Sequence, residues 1–289
     1  MKKLFIFLFV VLAACTELQP VLSDGVETVE VTFDFGCSAL SKADSPLIPD
    51  VENLIYDVWI LQYDKMGLLI DAGTSHERKT QSGSLTATVT TNLATGDDCT
   101  ICVLANLDRG NPDAVRTWPQ TLTEFKTSLS VVDLSSDITS ANAGTLDDMP
   151  MFGYWEGDIT AEVNNIQVSL GRMLVRMNLV INNASGSSCS MTSITNVPLK
   201  SYAFPQVNHE PLPSEAYSTV AIGASVASGS SKELYFYMAP NFTSGEANAT
   251  RLNFSNGKSV ILSNGAPDTA NRDYNLYHNS NYTFTINLK

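Results

Sequence analysis

The chain is short of positive charge, of histidine and of long apolar runs, and each shortage removes a class of function. Seventeen basic side chains stand against 30 acidic ones, for a formal net charge of −13. A body that acidic repels phosphate backbones, so nucleic acid is not an expected partner. Only three histidines are available for general base work: His76, His209 and His278. None accompanies a G-x-S-x-G elbow or completes a zinc pattern. Each falls at an apparent loop or strand end and is expected to be exposed. Gly223 to Gly229 lacks the lysine and the following helix of a phosphate loop, and no D-x-[DN]-x-[DN]-G calcium loop occurs. The expectation is a protein that is not an enzyme and uses no cofactor or metal. Nor does any apolar run reach the roughly 20 residues of a membrane-spanning helix.

The longest apolar run opens the chain, MKKLFIFLFVVLAAC. Lys2 and Lys3 precede a short core, Leu4 to Leu12, and small residues lead to Cys15. That is a secretory signal, and Leu12-Ala13-Ala14-Cys15 resembles the lipobox of bacterial lipoproteins. On this reading residues 1–14 are removed and Cys15 carries fatty chains. Each buried methylene contributes about 0.8 kcal/mol, so several chains hold a protein to the outer membrane almost indefinitely. Residues 15–25 then form a polar lipidated tether. Export permits disulfides among Cys37, Cys99, Cys102 and Cys189, but four cysteines allow three pairings and the choice stays open. Cys99 and Cys102 lie three apart on a strand and so face opposite sides. They cannot easily grip one metal or close on each other, and core packing is the expectation.

Beyond the tether the pattern is β. Val29 to Phe35 alternates apolar and polar residues and stops at Gly36. Val51 to Tyr63 is a dense apolar strand, turned back by Asp64 to Gly67. Leu85 to Thr90 and Cys99 to Asn106 follow. Thr121-Leu122-Thr123-Glu124 has the form of a capping box and predicts a short helix from Leu122 to about Ser130. Ile159 to Leu170 alternates, and Arg172 to Ile181 continues it past Gly171, the expected crossing between two domains, 26–171 and 172–289. Met191 to Phe204, Ser218 to Val226 and Glu233 to Met238 are further strands. Asn256-Gly257 marks a hairpin, and Tyr282 to Lys289 a terminal strand. Many short strands with one helix point to an all-β fold, two β-sandwiches in tandem.

With these elements in place the chain resembles the fimbrillin superfamily of Bacteroidales, the subunits of type V pili. The resemblance rests on the strand Glu30 to Phe35 behind the lipobox and on Leu54 to Gly67 with its Tyr-Asp-Lys-Met-Gly ending. It also rests on Cys102 to Asn106, Met149 to Gly153, Val168 to Met177 and Asn279 to Ile286. It implies two transthyretin-like β-sandwiches and a lipid-held precursor. In stalk subunits of that family a trypsin-like protease cuts after an arginine in the loop behind the first strand. The strand leaves, and a neighbour's strand fills the groove. Here the strand to be exchanged would be Val29, Val31, Phe33 and Phe35, and the basic residue in the loop is Lys42, not an arginine. Lys42 is thus the candidate processing position; without a cut there the strand stays in its own groove, and this departure from the stalk pattern points to an anchor or accessory piece of a surface fimbrium, whose partners are other fimbrial subunits. A second reading is a surface glycan-binding lipoprotein serving nutrient uptake or adhesion. Trp118, Tyr154 and Trp155, beside Pro or Gly in expected loops, would stack on sugars, whereas Trp59 is expected in the core. Asp268-Thr269-Ala270 matches an O-glycosylation pattern of the same bacterial group.

Overall fold

A computed structural model of the chain describes residues 26–37, 42–43, 50–78, 83–108, 115–128, 132–133, 148–163, 165–204, 217–243, 245–263 and 272–289. The expected signal, Cys15, His209 and Asp268 to Ala270 lie outside them. The strands are β1 (Thr28–Cys37), β2 (Lys42–Ala43), β3 (Asp57–Tyr63), β4 (Leu69–Arg78), β5 (Thr86–Ala94), β6 (Gly96–Ala105), β7 (Val132–Asp133), β8 (Met151–Ile159) and β9 (Asn165–Arg172). They continue with β10 (Val175–Asn183), β11 (Cys189–Pro198), β12 (Lys200–Ser201), β13 (Tyr217–Val226), β14 (Ser230–Met238), β15 (Arg251–Phe254), β16 (Ser259–Ile261) and β17 (Ser280–Leu288). One helix, α1 (Leu122–Thr127), is capped by the Thr121 hydroxyl, which accepts from the Glu124 N–H as the capping box requires.

The first half of the chain forms a seven-stranded sheet in the order β4-β3-β6-β8-β9-β1-β5. Strands β8 and β9 share only two paired positions, Met151 with Arg172 and Phe152 with Gly171, so the sheet folds over there into two layers. Gly153 permits that corner: a Cβ at this position would lie 2.6 Å from the Ser169 carbonyl oxygen. Between the layers sit Val31, Phe33, Val58, Ile60, Val89, Ile101, Val103, Met151, Ile166 and Val168, all buried.

The second half repeats this plan. Strand β10 lies between antiparallel β14 and parallel β17, as β1 lies between antiparallel β5 and parallel β9. A sheet β14-β10-β17-β2 faces a sheet β13-β11-β15-β16. Strict alternation along β10 sends Val175, Met177, Leu179 and Ile181 inward, where they meet Met191, Ile194, Leu252 and Phe254. Both layered bodies are sandwich-like, and the first core draws only on residues 31–170 while the second draws only on 175–288. A third apolar cluster covers the other face of β3 and β6. It gathers Trp59, Leu61, Tyr63, Cys102 and Leu104 under Phe125 of α1, with Met173 and Leu174 from the β9–β10 link and Phe204 and Tyr237 from the second half.

Several sequence expectations need correction. The apolar run Val51 to Tyr63 is not one strand: Asp50–Asn53 is a 3-10 turn, Ile55 makes a single bridge with Ser84, and the continuous strand starts at Asp57. Glu52 leaves the ladder because its carboxylate is claimed by side chains of the second half, described below. Gly36 does not end β1, which pairs through to Cys37. Ile159 belongs to β8, and the chain turns at 160–163 before β9, with the Val163 N–H donating to the Thr160 carbonyl. Helix α1 stops at Thr127, with the Ser128 N–H donating to the Glu124 carbonyl.

Candidate functional site: the first strand and the junction behind it

Strand β1 is interior to its sheet. Nine of its positions pair with β5, from Thr28 opposite Ala94 to Gly36 opposite Thr86. Its second half also pairs with β9, from Thr32 with Asn165 to Cys37 with Leu170. Period-two alternation points Val31, Phe33 and Phe35 into the core, with Val29 partly buried at the end of the row. The Phe33 and Phe35 rings stack with centroids 5.8 Å apart. On the outer face, Asp34 accepts from the Thr88 hydroxyl at 2.8 Å and from the Asn165 amide at 2.9 Å. The hydrogen bonds from Asn165 and Thr88 hold the Asp34 carboxyl below its ordinary value. Polar clips to both neighbours thus supplement the two ladders. Removing β1 would leave facing unpaired edges on β5 and β9 over an apolar slot, the geometry that accepts an added strand.

The chain leaving β1 runs to the other half. Lys42 and Ala43, as β2, pair in parallel with Ser280 and Asn281 at the start of β17. The chain then returns through the turn Asp50–Asn53 to a buried polar junction. The fully buried Glu52 carboxylate accepts from the Tyr237 hydroxyl at 2.6 Å and from Arg176 Nη1. Arg172, at the end of β9, donates to the Asn279 side-chain oxygen at 2.8 Å and to that of Asn53. The Cys37 thiol, at the end of β1, donates to the Asn53 carbonyl at 3.3 Å. Burial pushes the Glu52 carboxyl up, against the opposing pull of Tyr237, Arg176 and Arg172. Burial pulls Arg172 down and pushes the Cys37 thiol up. One cluster therefore ties the end of β1, the turn behind it and both sandwich bodies. Sequence reasoning missed Glu52 because a lone acidic residue in an apolar run carries no signal of its partner 185 positions away.

The other expected site residues are placed differently. Trp118 is 6% exposed, packed edge-on against Trp59 with centroids 5.3 Å apart. Tyr154 and Trp155 are strand residues of β8, not loop residues, because Met151 to Glu156 pairs with β6. As neighbours on a strand they face opposite ways: Trp155 packs toward the first core, and Tyr154, 47% exposed, lies against Phe204. The three rings do not form one platform. Cys99 and Cys102 do face opposite sides, Cys99 in the first core and Cys102 in the third cluster, and all four described cysteines are free thiols. His76, expected at the surface, sits on β4 opposite Trp59, and the two rings stack at 4.1 Å. Its ring is 11% exposed and faces Asp57 and Asp108. His278 is half-buried just ahead of β17. Among the described residues no helix is long and apolar enough to cross a membrane.

This arrangement of strands is the fold of Bacteroidales fimbrial proteins. The tip fimbrial protein Mfa3 from Porphyromonas gingivalis superposes with a TM-score of 0.62 at 15% identity, over 90% of this chain and 94% of that one. A candidate cell adhesion protein from Parabacteroides distasonis gives 0.61 at 16% identity, over 90% and 88%. A fimbrial assembly protein from the same species gives 0.51 at 13% identity, over 90% and 91%. No protein-family model matches the sequence, and no curated protein sequence matches it.

Proposed function

We propose that the chain is a non-enzymatic structural subunit of a cell-surface fimbrium, an anchor or accessory subunit held to the outer membrane by lipid on Cys15. Its two halves, 26–171 and 172–289, act as tandem transthyretin-like domains, and it meets other fimbrial subunits by β-strand addition. The observation that carries this reading is the position of β1: an interior strand, paired on both sides, with Val31, Phe33 and Phe35 buried. The shared fold with a tip fimbrial protein and a fimbrial assembly protein supports it. Residues 16–77 contain no arginine, and Lys42 is the one basic residue in the loop behind β1. A subunit that keeps its own β1 ends a polymer at that groove and keeps its lipid.

The test is fractionation with mass spectrometry of the N-terminus. Cells labelled with a palmitate analogue should carry it on this chain, and Cys15→Ala should abolish both label and membrane retention. The native chain should stay with the outer membrane, in contact with sheared filaments. A cut after Lys42 that triggers polymerisation would turn the anchor into a stalk subunit. An unlabelled Cys15 with no filament association would end the reading altogether.

A further inference from the structure

The group around His76 lies away from the β1 groove and the Glu52 junction. Asp57 opens β3, His76 stands on β4, and Asp108 follows β6, and each offers one ligand atom within 4.8 Å of the others. His76 Nε2 is 3.8 Å from the fully buried Asp57 Oδ1 and 4.0 Å from Asp108 Oδ2. Both spans exceed a hydrogen bond, and Nε2 is buried without a hydrogen-bond partner. A buried polar atom left in that state calls for a water or an ion between the groups. Two carboxylate oxygens turned toward one imidazole nitrogen form the mixed N/O set that borderline divalent cations take.

The surroundings orient these ligands as metal ligands are oriented elsewhere. The Trp59 ring lies flat on His76 and fixes its plane. The Trp59 indole N–H donates to Asp108 Oδ2, and Arg116 Nε donates to Asp108 Oδ1 at 2.8 Å. Such outer contacts hold ligating groups in place. Bonds of about 2.0–2.2 Å put two ligands of a tetrahedral zinc ion about 3.4 Å apart. The two carboxylate oxygens therefore need to close on His76 Nε2 by about half an ångström, and the ligand atoms, spread over as much as 4.8 Å, must draw together to the same separation. His76 and Asp108 are 11% and 10% exposed, so the cluster lies just beneath the surface.

We propose that Asp57, His76 and Asp108 bind a divalent transition-metal ion of the Zn2+ class, which would fasten the edge strand β4 to β3 and to the segment after β6. The full chain, stripped with chelator, is titrated with Zn2+ by calorimetry while tryptophan emission is followed. The expected result is saturation at about one equivalent, with at least about tenfold weaker binding in His76→Ala and Asp57→Asn. Trp59→Phe keeps an aromatic ring against His76 but removes the N–H donor to Asp108, and should weaken binding about 10–100-fold. It decides the matter if His76→Ala does not fold. Binding that survives unchanged in His76→Ala, or in Trp59→Phe where that variant decides, places the ion elsewhere and overturns the proposal. So does a wild-type chain with no stoichiometric uptake, which leaves a bridging water as the explanation.

Discussion

Removing β1 from its sheet should be both severely destabilising and reversible by an added strand. Val31 and Phe33 are fully buried and Phe35 nearly so. Each such side chain contributes about 1.5–3 kcal/mol relative to exposure, so the three together contribute about 5–9 kcal/mol. That is comparable with the whole stability of a domain, about 5–15 kcal/mol. The two flanking ladders add to the loss, because β5 and β9 would each keep a row of unpaired backbone groups. A chain beginning at Ser38 should therefore lose cooperative unfolding of the first sandwich while the second keeps its own transition. A synthetic peptide of residues 26–37 should restore the first transition, and the same peptide with Val31, Phe33 and Phe35 changed to Ser should not. Urea melts followed by tryptophan emission, which reports the first half because Trp59, Trp118 and Trp155 all lie there, and by circular dichroism for both halves, with gel filtration of the peptide complex, make the measurement. If the truncated chain melts at the wild-type midpoint, or if the Ser peptide rescues equally, strand occupancy is not what holds this sandwich and the reasoning fails.

Three further outcomes follow from particular contacts. Glu52→Ala removes the acceptor of Tyr237 and Arg176 inside the junction and should cost about 3–5 kcal/mol, read from urea midpoints; Glu52→Gln should cost less. Because burial raises the Glu52 carboxyl, the folded state holds its proton at pH values where the unfolded chain has lost it. Stability from this group should thus fall as pH rises from the ordinary carboxylate value to the raised one, and Glu52→Gln should flatten that slope. The buried Gln62 amide replaces a strand partner for Ala94, donating to its carbonyl at 2.7 Å and accepting from its N–H at 2.8 Å. Gln62→Ala should cost about 2–4 kcal/mol through two orphaned backbone groups. Gly73→Ala would set a Cβ 2.1 Å from Gln62 Oε1, so the two changes should be clearly non-additive in a double-mutant cycle. Burial raises the thiols of Cys37, Cys99 and Cys102, so Ellman's reagent should label them slowly in the native protein and at once in denaturant. A disulfide peptide in a non-reducing digest would contradict the free thiols.

Much of this was legible in the residues alone. Alternation along Val29 to Phe35 and along Val175 to Ile181 determined which side chains enter each core, since a period of two sends alternate residues to one face whatever the neighbours are. The spacing of Cys99 and Cys102 put them on opposite faces for the same reason, and Thr121 with Glu124 placed the helix start. Uniform apolar runs were less informative. Val51 to Tyr63 reads as one strand, yet its first turn is a 3-10 turn and the continuous ladder begins only at Asp57, with Glu52 drawn out of line by Arg176 and Tyr237 far along the chain. Tyr154 and Trp155 look like loop aromatics beside Gly153, yet they pair with β6. Local pattern records which face a residue prefers. It cannot record which distant residue will stand opposite, and so the Glu52 junction, the stacking of His76 on Trp59 and the pairing of β2 with β17 were decided only by the tertiary structure.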